Sequence, residues 1–259
     1  MYGCDGRDMT AMHYIFAGLF LPLFPFSMVL NMLYARLRNP VLRSVVLLVW
    51  PQIGLIIAFA YELSVPSWTL GWGLATSFLY ALRILSLREL GVWTSFVATS
   101  AWALLWVLLD NGVPHPQVQL YAIGVSVPLI LMNLLCAGLE TRFGAAYLGL
   151  YGGLAQALPR YSSILVLVVL AVIATPLFPT FFAMLSMILK AVSTAPLVAV
   201  VVSAVWLLWS WAGARLLQGL IVGPVRVTAP DLSHVSLWSY VFAIGGLLVG
   251  GVYWSEFMV

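Results

Sequence analysis

The chain has 259 residues, of which 63% are hydrophobic and only 7% charged, with a formal net charge of +3 and a mean hydropathy of +1.08. Soluble domains carry charge on about a quarter of their residues, so a water-soluble enzyme is excluded, and so modest a positive charge does not point to nucleic acid. The composition predicts an all-α polytopic membrane protein: one membrane domain over residues 1–259, lodged in the lipid bilayer, with no stretch polar enough for a separate soluble module.

Residues 1–10 are polar and precede the first span. Residues 11–34 form an apolar run that can cross a ~30 Å hydrocarbon core at ~1.5 Å per residue; Pro22 and Pro25 kink it. The run is too long for the core of a signal peptide, and Asp5 and Asp8 are wrong for a basic leader. Arg36, Arg38 and Arg43 form a basic link. The second span is 42–60, with Pro51 inside, followed by a turn at Glu62–Pro66. The third is 68–84, with Arg83 near its end, and Arg88 and Glu89 close the next link. The fourth, 91–109, is rich in Trp. Asp110 to His115 is a turn signature. The fifth is 118–139, and 144–159 is expected to lie along the surface.

Residues 162–176 make the sixth span, 178–192 a short broken seventh, 196–222 the eighth and 237–254 the ninth, about nine spans in all. Pro176 and Pro179 cannot continue a regular helix, since each lacks an N–H and crowds the preceding turn. Pro196 interrupts the chain again. A Pro-broken helix is therefore expected near 176–196, and lipid tolerates such a break only where it is buried in protein or lines a wet cavity. No internal repeat aligns.

Charge gives conflicting orientations. With every span alternating, Arg36, Arg38, Arg43, Arg83, Arg88, Arg142 and Arg160 share one side, which should be cytoplasmic. Arg215 and Arg226 then fall on the other side. They join the rest if 176–193 dips into the membrane and returns.

Few residues could carry chemistry. Lys190 is the only lysine. Inside the membrane it is either a proton-titrating group, with a pKa lowered by burial, or a side chain that snorkels to the headgroups from near a helix end. Glu62 and Arg83 are the remaining charges near apolar sequence, either an ion pair between neighbouring helices or two solvated end residues. His13, His115 and His234 are far apart and show no metal-ligand spacing. Cys4 and Cys136 lie in different settings, which argues against a disulfide. Gly246 and Gly250 form a Gly-x-x-x-Gly that lets helices approach closely, within the chain or against a partner. Trp206, Trp209, Trp211, Tyr253 and Trp254 have the look of interfacial aromatics. Nothing supports a nucleotide, haem or iron–sulfur cofactor, or a metal.

The order of parts in the second half is more specific than any one of them. A polar link at Glu140-Thr141-Arg142 leads to Gly152-Gly153-Leu154 and Pro159-Arg160, then an apolar helix and the break at Pro176 and Pro179. A long helix ends at Arg215-Leu216-Leu217-Gln218, before Gly223-Pro224 and Asp231-Leu232-Ser233. Over about 118–255 this resembles the C-terminal part of the antiporter-like membrane subunits of complex I, membrane-bound hydrogenases and multisubunit cation/proton antiporters; residues 11–110 show no clear resemblance. In that family the broken helix carries a Lys or Glu just after the break, and the matching place here holds Met184. A His and a Lys of the preceding helix fall near Ser126 and Ile130. The chain also has about half the family's usual length, so the resemblance implies that one inverted half-channel is missing.

The resemblance implies a non-catalytic subunit in a bacterial inner membrane. Its partners would be a full-length antiporter-like subunit and a peripheral redox or inorganic-carbon module. An autonomous ion or proton transporter using the broken helix at 176–196 is the alternative. A membrane enzyme would need clustered polar groups that the sequence does not offer.

Overall fold

The computed structural model describes residues 5–149, 152–224 and 229–258, with side chains described from 12 to 253 within those ranges. Cys4, Tyr151 and Arg226 lie outside the described residues, as do the side chains of Asp5, Asp8 and Trp254. The named elements are all helices: α1 Asp5–Phe20, α2 Ser27–Arg36, α3 Pro40–Ala60, α4 Ser67–Ile84, α5 Leu90–Ala103, α6 Leu105–Asp110, α7 His115–Phe143, α8 Leu154–Ala157, α9 Pro159–Val172, α10 Pro179–Thr194, α11 Pro196–Ile221 and α12 His234–Met258.

Local chemistry sets several ends. Asn39 caps α3, its side chain accepting from the Val41 N–H at 2.8 Å, with Pro40 in the first turn where a missing N–H costs nothing. Gly144 ends α7 with φ 78°, a left-handed turn that a side chain would oppose. Among the described residues, five helices are long and apolar enough to cross a membrane: α3, the α5–α6 path, α7, α11 and α12 to Tyr253. By that measure the expected count of about nine spans is not reached. The α5–α6 path is the axis of the bundle, 83% buried along its span, whereas α12 is 17% buried and lies outermost. This explains the tryptophans of the fourth span: Trp93, Trp102 and Trp106 are completely enclosed.

Two expected spans differ in form. The run 11–34 is not one kinked helix. It stops at Phe20 and restarts at Ser27, because Pro22 and Pro25 remove two N–H donors within one turn. The sixth and seventh spans are α9 and α10, and they do not fold back on one another. Both pack against α7, α11 and α12. They are successive halves of one path broken between Val172 and Pro179.

That continuity removes the orientation conflict. Arg43 meets Glu140 at 3.8 Å, Arg142 donates to Pro230 O at 2.9 Å, and Arg215 donates to Leu85 O at 2.9 Å. The Arg160 N–H meets Asp231 Oδ2 at 2.9 Å. These ties gather Arg36, Arg38, Arg43, Arg83, Arg88, Arg142, Arg160 and Arg215 on one face, at the ends of α2, α4, α7 and α11 and the starts of α3, α5, α9 and α12. Glu62, Asp110, His115 and Lys190 lie toward the other face. Although no repeat is visible in the sequence, a broken helix followed by a long one occurs twice, as α1–α2–α3 and as α9–α10–α11. The first broken helix runs toward the arginine face and the second away from it.

Candidate functional site

The interior offers three connected features: two helix breaks, a buried polar seam between them, and a charged mouth on the arginine face.

At the first break the freed carbonyls are taken by indoles from three neighbouring helices. Trp50 on α3 donates to Leu19 O at 3.3 Å, Trp106 on α6 donates to Leu21 O at 3.1 Å, and Trp72 on α4 donates to Phe24 O. The Phe24 N–H is accepted by Thr76 Oγ1 at 3.0 Å. At the second break Trp206 on α11 donates to both Ile173 O and Ala174 O, at 3.2 and 3.1 Å, and Thr180 Oγ1 donates to Ala171 O at 3.2 Å. Buried peptide groups left without partners are costly in lipid, and these side chains remove that cost.

The seam runs along one stripe of α2, since Ser27, Asn31 and Tyr34 recur every three or four residues. Tyr34 OH donates to Asn133 Oδ1 at 2.9 Å, and Asn133 Nδ2 donates to Pro40 O at 2.8 Å and to Ser44 Oγ at 3.0 Å. Asn31 Nδ2 donates to Thr99 Oγ1 at 3.2 Å. Ser27 Oγ and Tyr80 OH are 3.0 Å apart, and Ser77 Oγ and Ser100 Oγ 3.2 Å. Trp209 Nε1 donates to Ser100 Oγ at 3.0 Å. Among the described residues the buried polar side chains are Ser, Thr and Asn, joined by Tyr and Trp. These groups pass hydrogen bonds but hold no charge near neutral pH.

On the arginine face the seam opens at a charged mouth. Arg43 donates through Nε to Leu37 O at 2.6 Å, sits 5.1 Å from the centre of the Tyr34 ring, and faces Glu140. Cys136 Sγ lies 3.6 Å from Glu140 Oε1. Beyond the helices, the negative charge of Glu89 pushes the Tyr147 phenol pKa up, with a 3.4 Å contact between them.

The sequence-predicted residues scatter. Lys190 is exposed near the end of α10 farthest from the arginines. Glu62 and Arg83 are both exposed and lie at opposite ends of the bundle, so they do not pair; Glu62 has φ 45°. His13 stacks on Tyr61 and His115 on Phe59, at 3.7 and 3.8 Å between ring centres. No group of three metal-ligating side chains occurs among the described residues. Pro176, Pro179 and Pro196 do mark the break and the start of α11. Met184 is fully buried, and so is Ser126, whose hydroxyl has no partner.

Two readings change within the chain. Gly246 and Gly250 make no close approach to another helix of this chain, since a Cβ on Gly246 would meet nothing within 4 Å and one on Gly250 only Pro179 Cγ at 3.9 Å; the close approach is made by Gly251, whose Cβ would overlap the Leu177 carbonyl oxygen. Trp206 and Trp209 are not interfacial, since both indoles point inward to hydrogen-bond partners, while Trp211 is 59% exposed. The sequence does not show the seam or the indole ties because these hydroxyls and tryptophans carry no charge and their partners are distant in the chain.

No protein-family model matches the sequence, and no curated protein sequence matches it. Solved structures do. A chain of respiratory complex I from Thermus thermophilus with bound NADH superposes with a TM-score of 0.80 at 17% identity, covering 92% of this chain and 53% of that one. A chain of the Mrp complex from Dietzia sp. DQ12-45-1b gives 0.82 at 15% identity, covering 99% and 58%. A chain of the membrane-bound sulfane sulfur reductase, an archaeal respiratory membrane complex, gives 0.80 at 16%, covering 93% and 52%. The fold is therefore that of the antiporter-like membrane subunits, and with its long apolar helices the chain is an integral membrane protein. It spans just over half the length of each chain it matches, and the match includes the helices before residue 118.

Proposed function

We propose that this chain is a non-catalytic membrane subunit of an ion- or proton-coupled complex. It packs against a full-length antiporter-like subunit or anchors a peripheral redox or inorganic-carbon module. The observation that carries this reading is the chemistry of the seam. Where the neighbouring fold would be expected to relay protons through titrating groups, this interior holds Ser27, Thr99, Ser100, Asn133 and the fully buried Met184. A proton relay needs groups whose pKa lies near the working pH; hydroxyls and amides are far from it.

The collected arginines support a cytoplasmic orientation of the arginine face in a bacterial inner membrane, which is the side available to a soluble module. Lys190, Glu62 and Arg83 act as solvated or snorkelling end charges, and the exposed face of α12, with Phe242 75% and Val249 71% exposed, meets lipid or the larger subunit.

Reconstitution decides the matter. The purified chain in sealed vesicles should carry no proton or sodium current above empty vesicles, and Lys190→Met should leave the activity of the assembled complex unchanged. Current through the chain alone would establish the autonomous transporter instead, and loss of complex activity in Lys190→Met would restore a titrating role.

A further inference from the structure

We propose that the cleft between α4 and α11 on the arginine face seats an anionic phospholipid, with its phosphate between Arg88 and Arg215 and an acyl chain laid along the α4–α11 seam. This does not depend on what the subunit does in its complex.

The cleft is a pocket of about 740 Å³ lined by Leu82, Leu85, Ser86, Arg88, Arg215 and Gly219, among others. Arg215 spends one N–H on Leu85 O at 2.9 Å, which fixes its guanidinium at the mouth. Arg88 is held by its backbone, whose carbonyl accepts from the Leu148 N–H at 2.7 Å. Neither guanidinium has a carboxylate partner; the ion pair found among the described residues is Arg43–Glu140. Glu89, next in sequence, turns toward Tyr147. Two uncompensated positive charges in one pocket favour an anion.

The surroundings favour a lipid over a soluble anion. The pocket lies where helices end, at headgroup level. Along α11 the residues on the same stripe as Arg215 are Ala212, Leu208, Ala204, Val201 and Leu197, which recur every three or four positions. They lead into a second cavity of about 390 Å³, lined by Gly71, Leu74 and Phe78 of α4 and by Leu197, Val198 and Val201 of α11. On α4, Leu85 of the first pocket and Phe78 of the second are ~10 Å apart at ~1.5 Å per residue, within the ~15 Å of one leaflet of the hydrocarbon core. An acyl chain with its phosphate at the arginines therefore extends to the upper end of this apolar groove. Basic pockets between membrane helices are a recurrent form of lipid headgroup site.

The test is native mass spectrometry of the full chain released from nanodiscs of equal phosphatidylglycerol and phosphatidylcholine. The wild type is expected to retain phosphatidylglycerol in preference. Arg88→Gln should lower that preference about fivefold, and the double variant Arg88→Gln with Arg215→Gln about twentyfold. Because Arg215 also ties Leu85, Phe78→Ala gives an independent check. It leaves both arginines in place and removes the apolar side chain at the near end of the second cavity. It should reduce retention of long-chain phosphatidylglycerol and spare a short-chain form. Inorganic phosphate, titrated onto delipidated protein, should bind at least about a hundredfold more weakly, since acyl burial is worth ~0.8 kcal/mol per CH₂. Equal retention of the two lipids by the wild type, an unchanged ratio in the double variant, or phosphate binding as tightly as lipid would each overturn the assignment. An inert Phe78→Ala would overturn the acyl path.

Discussion

The two helix breaks have the same outline but different support. In each, three residues turn inward and are buried, Leu21 to Leu23 in one and Val172 to Ala174 in the other, and two turn outward, Pro25 and Phe26 against Pro176 and Leu177. The first break is tied to three helices by three indoles, and no residue in it has positive φ. The second depends on one half-buried indole, places Ala174 at φ 56° and Leu177 at φ 87°, and has the α12 backbone pressed against it at Gly251. Non-glycine residues in the left-handed region cost ~1–2 kcal/mol each. A proline break can thus be tied by indoles from three helices, or held in a strained shape by one indole and a backbone packed against it.

The largest test of that contrast is at the prop. Gly251→Leu would drive a side chain into the Leu177 carbonyl and Phe178 backbone. It should cost at least ~3 kcal/mol, seen as a lowered Tm in detergent or as loss of folded protein. Gly246→Ala, placed in open space, should stay within ~0.5 kcal/mol of wild type. Equal melting of Gly251→Leu and wild type would mean that α12 does not support the break.

Next come the indoles. Trp106 is completely buried, so Trp106→Phe strands the Leu21 carbonyl where water cannot reach it. An unsatisfied buried acceptor costs ~1–3 kcal/mol, and the upper end is expected here. Trp206 is only half-buried, so its replacement removes less enclosed packing and Trp206→Phe should cost about 1 kcal/mol. A reversed order in thermal melts would remove the distinction between an enclosed tie and a partly exposed one.

Leu177→Gly tests the strain directly. Leu177 is 60% exposed, so little packing is lost, and glycine adopts φ 87° freely. The variant should be stabilised by about 1 kcal/mol. Destabilisation would show that the leucine side chain contributes more than its backbone costs.

How much of this was legible beforehand follows from what each signal depends on. Apolar length and paired prolines are local, so Pro176 and Pro179 located the second break, and the order Gly152-Gly153-Leu154…Arg215-Leu216-Leu217-Gln218 pointed to the fold. At the first break the sequence predicts a kink, since a proline pair such as Pro22 and Pro25 serves a kinked helix as well as an open one. Only Trp50, Trp72 and Trp106, distant in sequence, show that the chain opens there. The polar seam was invisible for the same reason. Ser27 and Tyr80, or Ser100 and Trp209, become neighbours through packing, and no spacing rule connects them. Gly246 and Gly250 matched a close-packing motif, yet α12 turns Gly251 inward. A motif of small residues fixes their spacing but not the rotation of the helix.

The smallest predicted difference concerns the two threonines. Thr76 Oγ1 accepts from the Phe24 N–H at 3.0 Å while donating to Trp72 O at 2.8 Å, so Thr76→Val leaves a backbone donor of the first break unpaired. Thr180 Oγ1 donates to Ala171 O at 3.2 Å, and that carbonyl also accepts from the Ala174 N–H at 3.4 Å, so Thr180→Val leaves it still engaged. An orphaned donor costs more than an acceptor that keeps a second bond. Thr76→Val should therefore cost about 1 kcal/mol and Thr180→Val no more than about 0.5 kcal/mol, with hydrogen exchange at Phe24 accelerated only in the first. If exchange instead quickens at the second break and Phe24 stays protected, the first break is not the one held by its hydrogen bonds.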